Sequence, residues 1–202
     1  MKGIIALFLC VFSISLAAQK LKTVSGNYDF LKDQTEINVV LTFDNVLITT
    51  DNLNEEQFLA SHKKTFLSKE DKTEADWQSW SEGWKNYKAN SFADEFLNGL
   101  AKTKKIKFGK DLNTKYTLVV DAKWFYPGWY GGFVFQPAKV SADLKFVETG
   151  SPSNIMLEIA ADKIEGSGSG KKEDLAMEYG RISKAYEKLG KTLFKQLNVS
   201  VR

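Results

Sequence analysis

Lys139-Val140-Ser141-Ala142-Asp143-Leu144-Lys145-Phe146 alternates without a break, with apolar side chains at Val140, Ala142, Leu144 and Phe146 and polar ones between them. A period of two puts the apolar set on one side of an extended chain and the polar set on the other. Downstream, Ile155, Leu157, Ile159 and Ala161 repeat the pattern opposite Glu158 and Asp162. Upstream, Tyr116 to Tyr126 is rich in β-branched and aromatic residues and stops at Pro127-Gly128. Thr149 to Asn154 is a loop by composition. Three consecutive strands of this kind predict a meander with one buried and one wet face, the habit of antiparallel sheets.

Working outward, Ile37, Val39, Leu41 and Phe43 give one more strand with a dry face, and Val40 is the only apolar residue on its wet side. Residues 19–32 read as a lead-in with a turn at Ser25-Gly26-Asn27. Asn52 or Asn54 is placed to cap a helix starting at Glu55-Glu56, with Phe58, His62 and Phe66 on one stripe. A second helical segment runs from about Thr73 to Lys102 on the period of Trp77, Trp80, Trp84 and Tyr87, then Phe92, Phe96 and Leu100. The phase slips between Tyr87 and Phe92, which predicts a bend or break. The tryptophan stripe is expected to cover the sheet. After a flexible Gly166 to Gly170 piece, Leu175, Tyr179, Ile182, Tyr186, Leu189 and Leu193 predict a last helix over Lys172 to Leu197. The order β-α-α-β-β-β-α predicts an α+β domain, a mainly antiparallel sheet of about four strands with helices packed on one face. Residues 19–202 read as a single domain without repeats.

The composition agrees: 202 residues, 43% hydrophobic and 26% charged, net charge +3, with 14 Gly, 3 Pro, 1 Cys and 1 His. It excludes collagen-like, disulfide-rich and mainly disordered chains. Residues 1–18 have the layout of a secretory signal peptide. Lys2 is followed by an apolar run from Ile4 to Leu16, too short for a permanent membrane anchor, with cleavage expected after Ala18 or Ala17. No other stretch is apolar enough to span a membrane, so export is expected, to the periplasm or beyond the cell. Phe8-Leu9 before Cys10 do not suit lipidation. Without the signal the chain has no Cys, and thiol chemistry drops out. Lys63-Lys64, Lys102 to Lys105 and Lys171-Lys172 all have acidic neighbours, so no sustained basic face suggests nucleic acid.

Motifs for catalysis are sparse. Glu165 to Lys172 has the glycines of a phosphate loop, but Glu165 replaces the first required Gly and Lys172 the Ser or Thr. His62 beside Phe58 and Phe66 reads as a packing residue, and zinc would need three carboxylate partners with it. No Gly-x-Ser-x-Gly turn offers a nucleophile. Asp94-Glu95, Glu70-Asp71 and Glu173-Asp174 are adjacent pairs on different helix faces, not two acids flanking one bond. No cofactor, metal site or catalytic residue is assigned.

The anomaly is aromatic. Trp124 to Pro137 packs seven aromatic residues into fourteen positions, interrupted by Pro127-Gly128 and Gly131-Gly132. Either these rings fold back to close one end of the core, or they form a platform for a glycan, a peptide or a partner protein. The candidate binding residues are Trp124, Tyr126, Trp129, Tyr130 and Phe133. The leading reading is a non-enzymatic binding or assembly module of the cell envelope, with an envelope protein or a glycan or peptide ligand as partner. The alternatives are a carboxylate-based hydrolase acting on envelope glycans or peptides, and a small-ligand carrier.

Phe30-Leu31-Lys32, the Trp-bearing helix, Tyr116 to Val120, Pro127-Gly128 followed by Gly132, Pro137-Ala138, Phe146 to Thr149 and the final helix together resemble a family of small exported proteins of Bacteroidota. More loosely, the layout is similar to the α+β domains of Gram-negative envelope lipoproteins and assembly accessory proteins, from which the chain departs in lacking a lipidation Cys. The resemblance covers most of the chain after the signal and rests on turn and core residues. It implies a fold and export, and no catalytic residues.

Overall fold

The computed structural model describes residues 21–101, 105–132 and 134–200. Residues 1–18, expected to be a signal peptide, with Cys10, and Phe133 lie outside them. The strands are β1 (Lys22–Gly26), β2 (Glu36–Thr42), β3 (Leu47–Ile48), β4 (Lys107–Gly109), β5 (Tyr116–Tyr126), β6 (Trp129–Tyr130), β7 (Phe135–Gln136), β8 (Lys139–Glu148) and β9 (Ser151–Glu165). The helices are α1 (Glu55–Leu67), α2 (Glu74–Asn86), α3 (Phe92–Leu100), α4 (Lys172–Ala176) and α5 (Glu178–Ser200).

The α+β class holds, but the main sheet has seven strands and is mixed. Its order is β1-β9-β8-β5-β2-β4, with β3 also beside β5, while β6 and β7 form a separate two-stranded sheet. β5, β8, β9 and β1 pair antiparallel; β2 pairs parallel to both β4 and β5, and β3 parallel to β5. The four strands with clean alternation are β2, β5, β8 and β9. The expected count falls short because β1 is exposed throughout and β3 and β4 span only two and three residues, too few for a buried face to write a period into them. β1 occupies the segment expected to be a lead-in. The parallel pairing follows from α1 to α3, a long crossover that returns the chain to the end where β2 began. β9 starts at Ser151, inside the expected loop, leaving a tight turn at Thr149-Gly150.

Local chemistry sets the helix starts. Asn54 and Gln57 form a capping box for α1, and Thr73 and Asp76 form one for α2. The phase slip after Tyr87 is absorbed without a break. Tyr87–Ser91 is one π-helical turn in which the Phe92 N–H reaches the Tyr87 carbonyl, and it rotates the stripe so that Phe92, Phe96 and Leu100 stay buried. The tryptophans do not cover the sheet as expected. They stack as a ladder, Trp77 on Trp80 at 5.1 Å and Trp80 on Trp84 at 5.7 Å, against Phe58, His62 and Phe66 of α1 and Tyr179 of α5.

The core lies between the helices and one face of the sheet, where Leu118, Val120, Ala122, Phe125, Leu144, Phe146, Leu157 and Ile159 are buried. α3 and α5 cross so closely that a Cβ on Gly190 would stand 2.1 Å from the Phe96 carbonyl oxygen, and one on Gly99 2.3 Å from that of Glu187. Only glycine permits this approach. The opposite face of the sheet is polar. There Asp121 accepts from Lys123 at 2.6 Å, Lys145 at 3.1 Å and Thr42 at 3.3 Å. Burial works to raise the Asp121 carboxyl, but the two lysines prevail and hold it below its ordinary value.

Candidate functional site

The aromatic segment leaves the sheet at the end of β5. Gly128 has φ +64°, and a Cβ there would lie 2.2 Å from the Gln136 carbonyl oxygen, so the turn into β6 requires glycine. Trp129 pairs with Gln136 and Tyr130 with Phe135, and the Gly131 N–H donates to the Val134 carbonyl at 2.9 Å.

The expected binding residues separate into two groups. Trp124 and Tyr126 flank the buried Phe125 and so point to the polar face of the sheet, where their rings lie 6.1 Å and 11° apart. The Trp124 indole donates to the Thr49 carbonyl at 2.9 Å beneath the Lys163 ammonium, and the Tyr126 hydroxyl donates to Gln136 Oε1 at 2.8 Å. Both are half-buried and fastened to the domain. Trp129 projects: it is 46% exposed, beside Val134 at 57%. Tyr130 is half-buried. The Phe135 ring lies over Gly168 of the Gly-Ser loop.

What aims the hairpin is a residue absent from the expected set. Arg181 is 2% exposed and spends its donors on carbonyl groups: Nε–H to Pro127 at 2.8 Å, one terminal nitrogen to Leu175 at 2.8 Å and Ala176 at 3.0 Å, the other to Gly128 at 3.3 Å. It therefore joins the root of the hairpin to the α4–α5 junction. That junction corrects the expected single helix. Met177 is extended, with φ −95° and ψ 142°, so the chain breaks between α4 and α5 and turns two carbonyls toward Arg181. Burial lowers the Arg181 guanidinium from its ordinary value, and Glu178 opposes the shift.

Compared with known proteins, the chain matches no family model, no curated protein and no solved structure.

Behind Arg181 the polar network continues. Glu178 Oε1 accepts from Arg181 at 3.3 Å, and Oε2 accepts the Trp80 indole N–H at 3.0 Å. The Tyr87 hydroxyl donates to Asp174 at 3.1 Å, and burial together with that bond pushes it up to about 12. The carboxylates considered for catalysis are largely engaged elsewhere. Asp94 pairs with Lys110 at 2.6 Å and Glu95 with Lys184 at 3.0 Å. Glu55, in a shallow cleft with Asp44, holds Lys88 and the Trp84 indole. Among the described residues no group of three His, Cys, Asp or Glu is placed to hold a metal ion.

Sequence gives little warning of Arg181 and Glu178. They sit among apolar residues of α5 without disturbing its period, and their partners are mostly backbone carbonyls and one indole. The single available signal is Gly180, whose Cβ would stand 2.0 Å from the Asp174 carbonyl, which marks a close approach at this point.

Proposed function

We propose that this protein is an exported, non-enzymatic binding or assembly module of the cell envelope, akin to the small Bacteroidota proteins that it resembles, with the aromatic hairpin as its contact surface and an envelope protein as partner. The observation that carries this reading is the pairing of exposure with restraint. Trp129 and Val134 are open to solvent on a hairpin whose root is clamped by Arg181. A large amphipathic ring held in place loses little freedom on docking, which is the character of residues that dominate protein interfaces. Export is supported by the first eighteen residues, and among the described residues no helix is long and apolar enough to cross a membrane.

The test is photo-crosslinking in intact cells from a reactive analogue placed at Trp129, with a second probe at exposed Glu70 as control. Reproducible capture of one envelope protein from Trp129 and not from Glu70 supports the reading. Capture of glycan or peptide alone moves the partner to that class, and equal labelling from both positions overturns the contact surface.

A further inference from the structure

The imidazole of His62 lies between Phe58, parallel at 5.6 Å, and Trp80, at 4.3 Å. Its Nε2 is buried and has no hydrogen-bond partner among the described residues. That nitrogen faces Glu178 Oε2 at 3.9 Å, about 1 Å beyond a hydrogen bond. Glu178 is also the carboxylate that pairs with Arg181, and Arg181 is the clamp on Pro127 and Gly128. One carboxylate therefore stands between a histidine that can gain charge and an arginine that always has it.

We propose that His62, Glu178 and Arg181 form an acid-responsive brace, in which a proton added to His62 draws the Glu178 carboxylate away from Arg181 and loosens the root of the aromatic hairpin. This rests on the reading of that hairpin as the contact surface and adds a control over it. A protonated His62 carries an N–H at Nε2, and closing the gap to Glu178 forms a charge-assisted bond. The Arg181 contact, at 3.3 Å, is the longer of the two bonds that Glu178 now makes. Once Glu178 moves toward α1, Arg181 keeps only carbonyl partners and gains a second cation nearby, so its hold on the Pro127 and Gly128 carbonyls weakens.

The surroundings of His62 set where this happens. α5 presents Glu178, which favours the charged imidazole, and Arg181, which opposes it; Lys69, past the end of α1, opposes it as well. α2 presents the indoles of Trp77 and Trp80, and its Glu74 is paired with Lys63 at 2.9 Å. α1 adds Phe58 and Phe66. Burial is the largest influence and holds His62 below its ordinary value, so the brace is closed at neutral pH and opens only on acidification past the ordinary histidine range.

The test is amide hydrogen exchange of the processed full-length chain, corrected for intrinsic rates, at about pH 7.5 and about pH 5. The reporter is the Gly131 N–H, with Val120 and Leu144 as core references. In the wild type, Gly131 protection is expected to fall by about tenfold or more on acidification while the references hold. H62Q removes the titration and is expected to show no such fall, with H62F as a second variant should H62Q fold poorly. E178Q retains an acceptor for Trp80 without the charge, and is expected to show low hairpin protection at both pH values. Equal protection of the wild-type hairpin at both pH values, or the same fall in H62Q, overturns the brace. Because the readout uses the free protein, such a result leaves the crosslinking test of the contact surface untouched.

Discussion

The Nε–H of Arg181 donates to the Pro127 carbonyl at 2.8 Å, so the first turn of α5 fixes the root of a hairpin 54 positions earlier in the chain. A guanidinium can do this because its planar set of donors addresses several carbonyls at once. R181K keeps the charge but not the fork, and is expected to cost about 1–3 kcal/mol, the penalty for leaving buried carbonyls without a donor. Urea denaturation checks it. A loss below about 1 kcal/mol would mean that the carbonyls find other donors.

G190A tests the crossing of α3 and α5. The added methyl would meet the Phe96 carbonyl oxygen at 2.1 Å, too near for any side-chain rotation to relieve. The helices must separate, at a cost of about 2–3 kcal/mol and a drop in Tm of roughly 5–10 °C. A melting temperature within about 2 °C of wild type would contradict the close approach.

Tyr186 is fully buried, stacked on Phe92 at 5.2 Å, and its hydroxyl has no hydrogen-bond partner among the described residues. Burial pushes the phenol well above its ordinary value. Y186F removes a polar atom that folding strips of water, and is expected to stabilise by about 1 kcal/mol. A calorimetric scan showing lower stability would reveal a bond to that hydroxyl.

Stability is expected to fall in mild acid through His62. Its pKa in the folded state lies below the ordinary 6.5, mainly because of burial. The unfolded chain therefore binds the proton first as pH falls through 6.5, and stability drops from there until the folded-state value is passed. H62F should flatten this part of the pH profile, measured as the urea midpoint across the range. An unchanged slope would assign it to other groups.

For Trp129, exposure predicts that W129A changes stability by less than about 1 kcal/mol while weakening partner binding by about 30-fold or more, as for an interface hot spot. Thermal melts and affinity measurements with the crosslinked partner test the two halves separately. A large loss of stability would identify Trp129 as part of the core.

The legible parts of this fold are those where one face is dry. Val140 to Phe146 and Ile155 to Ala161 announce their strands because burial writes a period of two into them, and Leu175 to Leu193 announce a helix in the same way. β1 wrote no such signal: Lys22 to Gly26 are all exposed and are strand because β9 lies beside them. The parallel register of β2 on β5 depends on where three helices deliver the chain, which no local pattern encodes. Within the candidate site the aromatic residues were visible by type and density, whereas the division between fastened Trp124 and projecting Trp129 depends on partners such as the Thr49 carbonyl. Arg181 was invisible because the groups that explain it are backbone carbonyls, present at every position.

The mixed sheet also dictates when the chain can fold. Asn38 meets Thr117 across 79 positions, and Lys22 has no strand to join until Ala160 exists. The nucleus must therefore gather distant segments, a topology associated with folding in milliseconds to seconds. A chain growing from its N-terminus would carry β1 and β2 before the strands they pair with exist. It closes its core only when α5 arrives to cover the sheet.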